Sequence, residues 1–224
     1  MRRLQEEVAK AAEFSGDPGY RHGRDIVAGV DQAFPHPEAI ISAAVSMSGD
    51  SIHDRSHERD SPPISYIPGL LAFREGPTAI SAIENLEDAP AVILVDGNGR
   101  IHPRQAGLAT HLGVVLDIPT VGVAKSLLCG EPTESIDDLE AGESVPIEAT
   151  GDVSGSDGEV IGYAVQTRQF KGDSRHINPL FVSPGHHVGP DTAVDIVLET
   201  TGEYKLPVPL HTADRYVSQL ATNG

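Results

Sequence analysis

Two carboxylates stand where apolar runs end: Val92-Ile93-Leu94-Val95 leads into Asp96-Gly97-Asn98-Gly99, and Ile26-Val27-Ala28-Gly29-Val30 leads into Asp31. A continuous apolar run rich in β-branched residues reads as a strand covered on both faces, with its last residue emerging where ligands bind. If those strands are neighbours, both aspartates can share one cation, because hard divalent metals such as Mg²⁺ take carboxylate oxygens and keep several waters. Glu75, Lys125 and Asp214 extend the set, each expected at a strand end or in a first helical turn, the positions from which an open α/β sheet builds its ligand crevice. Carboxylates converging there repel one another and are tolerable only around a cation. With Mg²⁺, or Mn²⁺ substituting, the chemistry is phosphodiester hydrolysis: a polarised phosphoryl oxygen, a more acidic water and a steadied leaving oxygen. Lys125 would balance charge in the transition state. A plainer alternative stays open, in which Glu75 complements a helix dipole and the other acids cap helices or face solvent.

The elements that must position these residues follow from periodicity. Residues 2–14 place Leu4, Val8, Ala11 and Ala12 at helical spacing, a packing helix. The strand ending at Asp31 is followed by a Phe34-Pro35-His36-Pro37 connection, a strand over 39–46 and a weakly marked third over 52–59. A rigid Tyr66-Ile67-Pro68-Gly69 turn opens a helix over 70–86, supported by Leu71, Ile80, Ile83 and Leu86. After the Asp96 strand come a helix over 106–116 and a strand over 119–124 ending at Lys125, a strand–helix–strand unit that demands parallel strands. Residues 131–152 are acidic and apolar-poor and read as a solvated excursion. Strands over 160–167 and 180–183 follow, then Pro184-Gly185-His186-His187 as a turn into a helix over 191–200. A final helix over 212–220 would carry Asp214 in its first turn.

With 224 residues and 39% hydrophobic content, the chain can bury a core as a single domain spanning 1–224. Its 16 basic against 33 acidic residues give a net charge of −17, which repels a phosphate-rich partner at long range. Scarce lysine, abundant acids and absent tryptophan suit a halophilic protein, and at about 1 M salt the Debye length shrinks to ~3 Å, so that repulsion nearly vanishes. The lone Cys129 excludes an intramolecular disulfide and a multi-thiolate zinc site. No signal-peptide core or membrane-length apolar run is present, so a soluble, cytoplasmic protein is expected, with no membrane partner.

Several motifs fail on inspection. The Asp96-Gly97-Asn98-Gly99-Arg100-Ile101 stretch opens like a calcium loop but places Arg100 and Ile101 where an oxygen ligand and glycine belong. Gly122-Val123-Ala124-Lys125-Ser126 lacks the earlier glycine of a phosphate loop, and no Gly-x-Ser-x-Gly elbow occurs. His53 and His57 are four apart without a His-Glu-x-x-His pattern or a third ligand, and read as solvent-facing.

Five stretches resemble, in colinear order from about residue 26 to 214, the successive motifs of the endonuclease V family: Val27 to Asp31, Tyr66 to Glu75, Val95 to Arg104, Ile118 to Ser126 and Phe181 to His186. The resemblance implies a ribonuclease H-like α/β fold, a mixed central sheet flanked by helices, with the Asp31 strand beside the Asp96 strand. It implies a DNA repair enzyme that recognises a deaminated base, hypoxanthine above all, and hydrolyses the second phosphodiester on its 3′ side. Asp31 and Asp96 would then ligate Mg²⁺, Glu75 would complete the acidic cluster and Lys125 would contact the reacting phosphate. The family's fourth metal-site position, histidine in some members, falls on Asp214, with His211 as competitor. Tyr66, Ile67 and Pro68 resemble the wedge that fills the gap left by an extruded base, replacing part of a few kcal/mol of lost stacking; Tyr66 packed on a helix start is the alternative. Gly69, Gly97, Gly107 and His102 would surround the flipped base, where missing side chains admit backbone amides to its edge. Rival functions are a nuclease of the same fold acting on inosine-containing RNA or branched duplexes, and a non-catalytic nucleic-acid-binding module. A monomer is expected, and the acidity leaves room for a partner protein that supplies DNA-binding charge.

Overall fold

The computed structural model describes residues 1–155, 157–169 and 177–222. Its strands are β1 (Val27–His36), β2 (Ala39–Ser48), β3 (Ser51–Asp60), β4 (Val92–Asp96), β5 (Thr120–Ala124), β6 (Glu131–Pro132), β7 (Ser144–Glu148), β8 (Val160–Val165) and β9 (Leu180–His186). Its helices are α1 (Arg2–Ala11), α2 (Leu71–Glu84), α3 (Leu108–Leu116), α4 (Pro190–Glu199) and α5 (Val208–Thr222). The strands form one mixed sheet in the order β3-β2-β1-β4-β5-β9-β8-β7-β6. Three antiparallel strands, then β4 and β5 running parallel to β1, place the two aspartate-bearing strands side by side. No helix among the described residues is long and apolar enough to cross a membrane.

Strand alternation sorts the core into two layers. Val27, Val92, Leu94, Val121 and Val123 face one side, with Ile196 of α4 and Leu210 of α5. Ala28, Val30, Ile93 and Val95 face the other, with Ala79 and Ile83 of α2 and Leu112 of α3. Residues 92–95 are fully buried because helices cover both faces, which is why they are apolar without alternation.

Five expectations are corrected. β1 does not end at Asp31 but runs to His36, because β2 remains its antiparallel partner after the parallel pairing with β4 stops at Val30; the hairpin turn is Pro37-Glu38, and a register shift near Pro35 accommodates the missing N–H. Residues 131–152 supply β6 and β7, and Val145, Ile147 and Ala149 are buried at period two, an alternation masked by the sparse apolar content. Pro184, Gly185 and His186 stay within β9, where a register shift against β5 absorbs the proline. α5 starts at Val208, with Pro209 tolerated in its first turn, so Asp214 lies in the middle of the helix. In α1 Leu4 is exposed and the buried residue is Gln5.

Candidate active site

Asp31 and Asp96 each lie one residue beyond Val30 and Val95, the last paired residues of the β1–β4 ladder. Alternation sends both side chains to the α5 side of the sheet: Val27, Val92 and Leu94 belong to the α5-side core, and a Cβ on Gly29 would sit 2.2 Å from the backbone of Pro209. Lys125, two residues past Val123, points the same way and donates from Nζ to Asp96 Oδ2 at 2.6 Å. The missing side chain at Gly29 lets the start of α5 press onto β1, which brings Asp214 over the same end of the sheet. Glu75, one turn into α2, is buried at 5% exposure and comes from the opposite layer.

The electrostatics show how closely these groups feel one another. Burial and then the negative charge of Asp96 push the Asp31 carboxyl up to about 7, Asp214 adds to the rise, and the Gln32 backbone N–H and Lys125 oppose it. Burial likewise raises Glu75 to about 7, against the pull of Arg74 and with a contribution from Asp96. Burial works against the Lys125 charge, but its bond to Asp96 and the charges of Asp96, Asp31 and Asp214 outweigh it and hold the ammonium above its ordinary value. Asp214 on α5 acts on Asp31 and Lys125 through its charge, while the His211 ring stacks on Tyr204 at 3.7 Å and its buried Nε2 has no hydrogen-bond partner among the described residues. The Asp31 and Asp96 oxygens on neighbouring strands, with Glu75 reaching in from α2 and burial keeping Asp31 and Glu75 towards neutrality, form a set that a hard divalent cation would relieve.

A cavity of about 140 Å³ opens beside the cluster, and Tyr66, Gly69, Gly97, His102 and Gly107 all line it. Ile67 and Pro68 are exposed next to it and are not part of its wall. Tyr66 is 67% exposed, a ring held at the mouth rather than packed on a helix start. A Cβ on Gly107 would fall 2.1 Å from the Asn98 carbonyl oxygen, so only glycine lets the start of α3 lie against the turn after β4. Burial first, and then Arg104, lower the His102 imidazole to about 4. Its Nδ1 accepts the Arg104 backbone N–H at 3.1 Å, leaving the ring proton on Nε2.

A family model described as Endonuclease V matches residues 2–215. The chain belongs to the endonuclease V family. Membership makes it a nuclease, a hydrolase of phosphodiester bonds, and its fold is ribonuclease H-like. An Endonuclease V of Natronomonas pharaonis is 48% identical over 225 residues, covering 98% of this chain and 90% of the relative. The crystal structure of Endonuclease V from Streptomyces avermitilis superposes with a TM-score of 0.86 at 30% identity, covering 99% of this chain and 92% of that one. Endonuclease V of Ciona intestinalis, in complex with a 24mer DNA containing an inosine followed by a ribo-adenosine, gives a TM-score of 0.78 at 26% identity, covering 99% of this chain and 96% of that one.

Two features of this endonuclease V family member escaped the sequence reading. Gln5 lines the cavity and ties α1 to it: Nε2 donates to the Gly69 carbonyl at 2.7 Å, and Oε1 accepts from Arg104 Nε at 2.6 Å. Its signal was a polar residue in the buried register of an amphipathic helix. The second is Asp117, His186 and His187, whose ligand-type atoms lie within 4.8 Å of one another, close enough to hold a metal ion. They sit at the other end of the strands, since His186 pairs with Thr120 whereas Asp96 pairs with Val123. Their ring nitrogens already have partners. His186 Nδ1 accepts the Glu13 backbone N–H at 3.1 Å, and His187 faces Glu13 Oε2 at 3.1 Å and Asp117 Oδ1 at 3.0 Å. Asp117, followed by Glu13, holds the His187 pKa above its ordinary value against desolvation.

Proposed function

We propose that this chain is a single-domain, monomeric, cytoplasmic repair endonuclease that acts on DNA containing deaminated bases, hypoxanthine in deoxyinosine above all, and hydrolyses the second phosphodiester 3′ to the lesion. One observation carries the reading: Asp31 and Asp96 stand side by side past the end of a parallel ladder, on one face, with Lys125 bonded to Asp96. Asp31 and Asp96 would hold Mg²⁺, with Mn²⁺ able to substitute, and Glu75 and Asp214 would complete the acidic surround; a cation held there would supply polarisation of the phosphoryl oxygen and a more acidic water. Lys125 turns from Asp96 towards the reacting phosphate and balances its growing negative charge. Tyr66, with Ile67 and Pro68 beside it, fills the space vacated by the extruded base. That base enters the cavity lined by Gly69, Gly97, Gly107 and His102. The bound inosine-containing DNA of the Ciona intestinalis relative supports the substrate class.

Matched duplexes with and without one deoxyinosine test the proposal in Mg²⁺. Cleavage confined to the inosine strand, one phosphodiester beyond the 3′ neighbour, is expected, and equal cutting of both duplexes would overturn it. An inosine-containing RNA of the same sequence, assayed alongside, decides between the two nucleic acids.

A further inference from the structure

The edge strand β3 separates its charges by face. Its pairings Val45↔Arg55, Ala43↔His57 and Ile41↔Arg59 put the three basic-type residues on the α5 side of the sheet. Their neighbours Asp54, Glu58 and Asp60 fall on the α2 side, where Asp54 Oδ2 accepts the Glu87 backbone N–H at 3.0 Å and Ser56 bonds the Ala82 carbonyl. Charges of either sign suffice to blunt a sheet edge against aggregation. Sorting the signs onto opposite faces needs another reason.

On the α5 side Arg55 borders a groove of about 410 Å³, with Arg215, Gln219, His211 and Tyr204 on the other wall, while His57 and Arg59 continue the same face of β3 beyond its lining. Arg55 lies 6.0 Å from the Tyr216 ring centroid, His57 Nδ1 is 3.1 Å from the Tyr216 hydroxyl, and Arg59 Nη2 donates to the Leu220 carbonyl at 3.3 Å. Arg21, Arg100 and Lys125 are ion-paired with Asp25, Glu159 and Asp96. By contrast Arg55, Arg59 and Arg215 have no carboxylate partner among the described residues, in a chain with 33 acids. The groove continues into a second depression shared through Arg215 and Gln219, and Asp214 lines that depression. The rung Asp31↔Ala43↔His57 also sets the basic face two strands from Asp31, about 10 Å at ~4.8 Å per strand. Alternate residues of β3 advance by about 6.6 Å, giving the guanidiniums of Arg55 and Arg59 a spread along the strand.

We propose that this groove and the β3 face that extends it seat the sugar–phosphate backbone of the substrate outside the cleavage site, with Arg55 and Arg215 in the groove and Arg59 beyond it as phosphate ligands. The inference rests on the chain acting on nucleic acid as argued above. It also removes the need for a partner protein to bring basic charge: the chain is acidic overall but carries here three guanidiniums without carboxylate partners among the described residues, and guanidinium–phosphate hydrogen bonds persist at salt concentrations that screen the diffuse repulsion.

The test measures affinity for a fluorescent deoxyinosine duplex against KCl, in an Asp96→Ala background that prevents cutting, over the salt range where circular dichroism shows every variant folded. Arg55→Ala/Arg59→Ala is expected to bind roughly tenfold more weakly and to flatten the slope of log affinity on log salt by about 0.9 for each phosphate that is no longer neutralised. Arg55→Lys/Arg59→Lys should recover most of the slope, since the charge is kept. Arg24→Ala removes one positive charge away from the groove and should leave the slope alone. An unchanged slope in the double alanine variant, or an equal flattening in Arg24→Ala, overturns the groove. Failure of the functional reading is separable, because it appears as wild-type protein that cuts matched and inosine duplexes alike.

Discussion

The two ends of the central strands carry similar residue types in opposite condition. At one end Asp31, Glu75, Asp96 and Asp214 act on one another with the Lys125 ammonium bonded to Asp96, and burial lifts Asp31 and Glu75 to about 7. At the other end Glu13, Asp117, His186 and His187 bond to one another across α1's trailing segment, the α3 cap and the end of β9. The first group is crowded with like charge; in the second the carboxylates and ring nitrogens are already hydrogen-bonded to one another. A cluster left electrostatically unsettled in a buried crevice is a candidate for ligand chemistry, whereas a satisfied one acts as a strap.

That contrast can be broken in several ways. Asp96→Ala is expected to lower cleavage of deoxyinosine DNA on the order of 10³-fold or more while binding persists; near-normal turnover in a single-turnover assay would place the reaction elsewhere. Lys125→Ala should lower the same rate by about 10²-fold, since the ammonium balances charge without organising the cluster, and an unaltered rate would remove it from the chemistry.

Stability against pH distinguishes the two ends more finely. Because the Asp31 pKa is raised in the folded state, folded protein holds a proton there that unfolded protein has already released between roughly pH 4 and 7. Its contribution is therefore present below the unfolded value and lost as pH rises through about 7. In EDTA the melting temperature of wild type should fall relative to Asp31→Asn across that window, and Mg²⁺ at neutral pH should recover it for wild type alone. His187 is also raised, so its contribution is present below the unfolded histidine pKa, near 6.5, and disappears only as pH climbs past the raised value. His187→Ala should lower the melting temperature at pH 6 more than at pH 9, with no response to Mg²⁺; a metal-dependent shift in that variant would contradict the strap. The smallest expected effect is on salt: activity and folding should both survive into molar KCl and improve over dilute buffer, as screening relieves a net charge of −17.

Legibility followed the physical signal. Residues 92–95 were readable because burial on both faces makes a run uniformly apolar, and 120–124 because Val121, Val123 and Ala124 leave Thr120 as its one polar side chain. β7 was not legible because only Val145 and Ile147 are buried there, and β6, two residues long at the sheet edge with neither buried, carries no apolar signal. β3 was readable as a strand, yet its alternation of Asp54, Glu58 and Asp60 with Arg55, His57 and Arg59 has no meaning until the sheet specifies what each face meets. Asp214 was placed in a first helical turn because Val208-Pro209 reads as a linker, whereas prolines are tolerated where a helix has no N–H bond to lose.

Residue order alone dictated the central strands, that two of them carry aspartates, and which motifs recur in a known family, since propensity and apolar patterning act over a few neighbouring residues. Whether those aspartates share a face, whether Lys125 reaches Asp96, and whether Gln5 closes a cavity about 100 positions away from Arg104 were settled by pairing register and helix packing. Such contacts join segments distant along the chain, and a shift of one residue in strand pairing would have turned every one of those side chains to the opposite side.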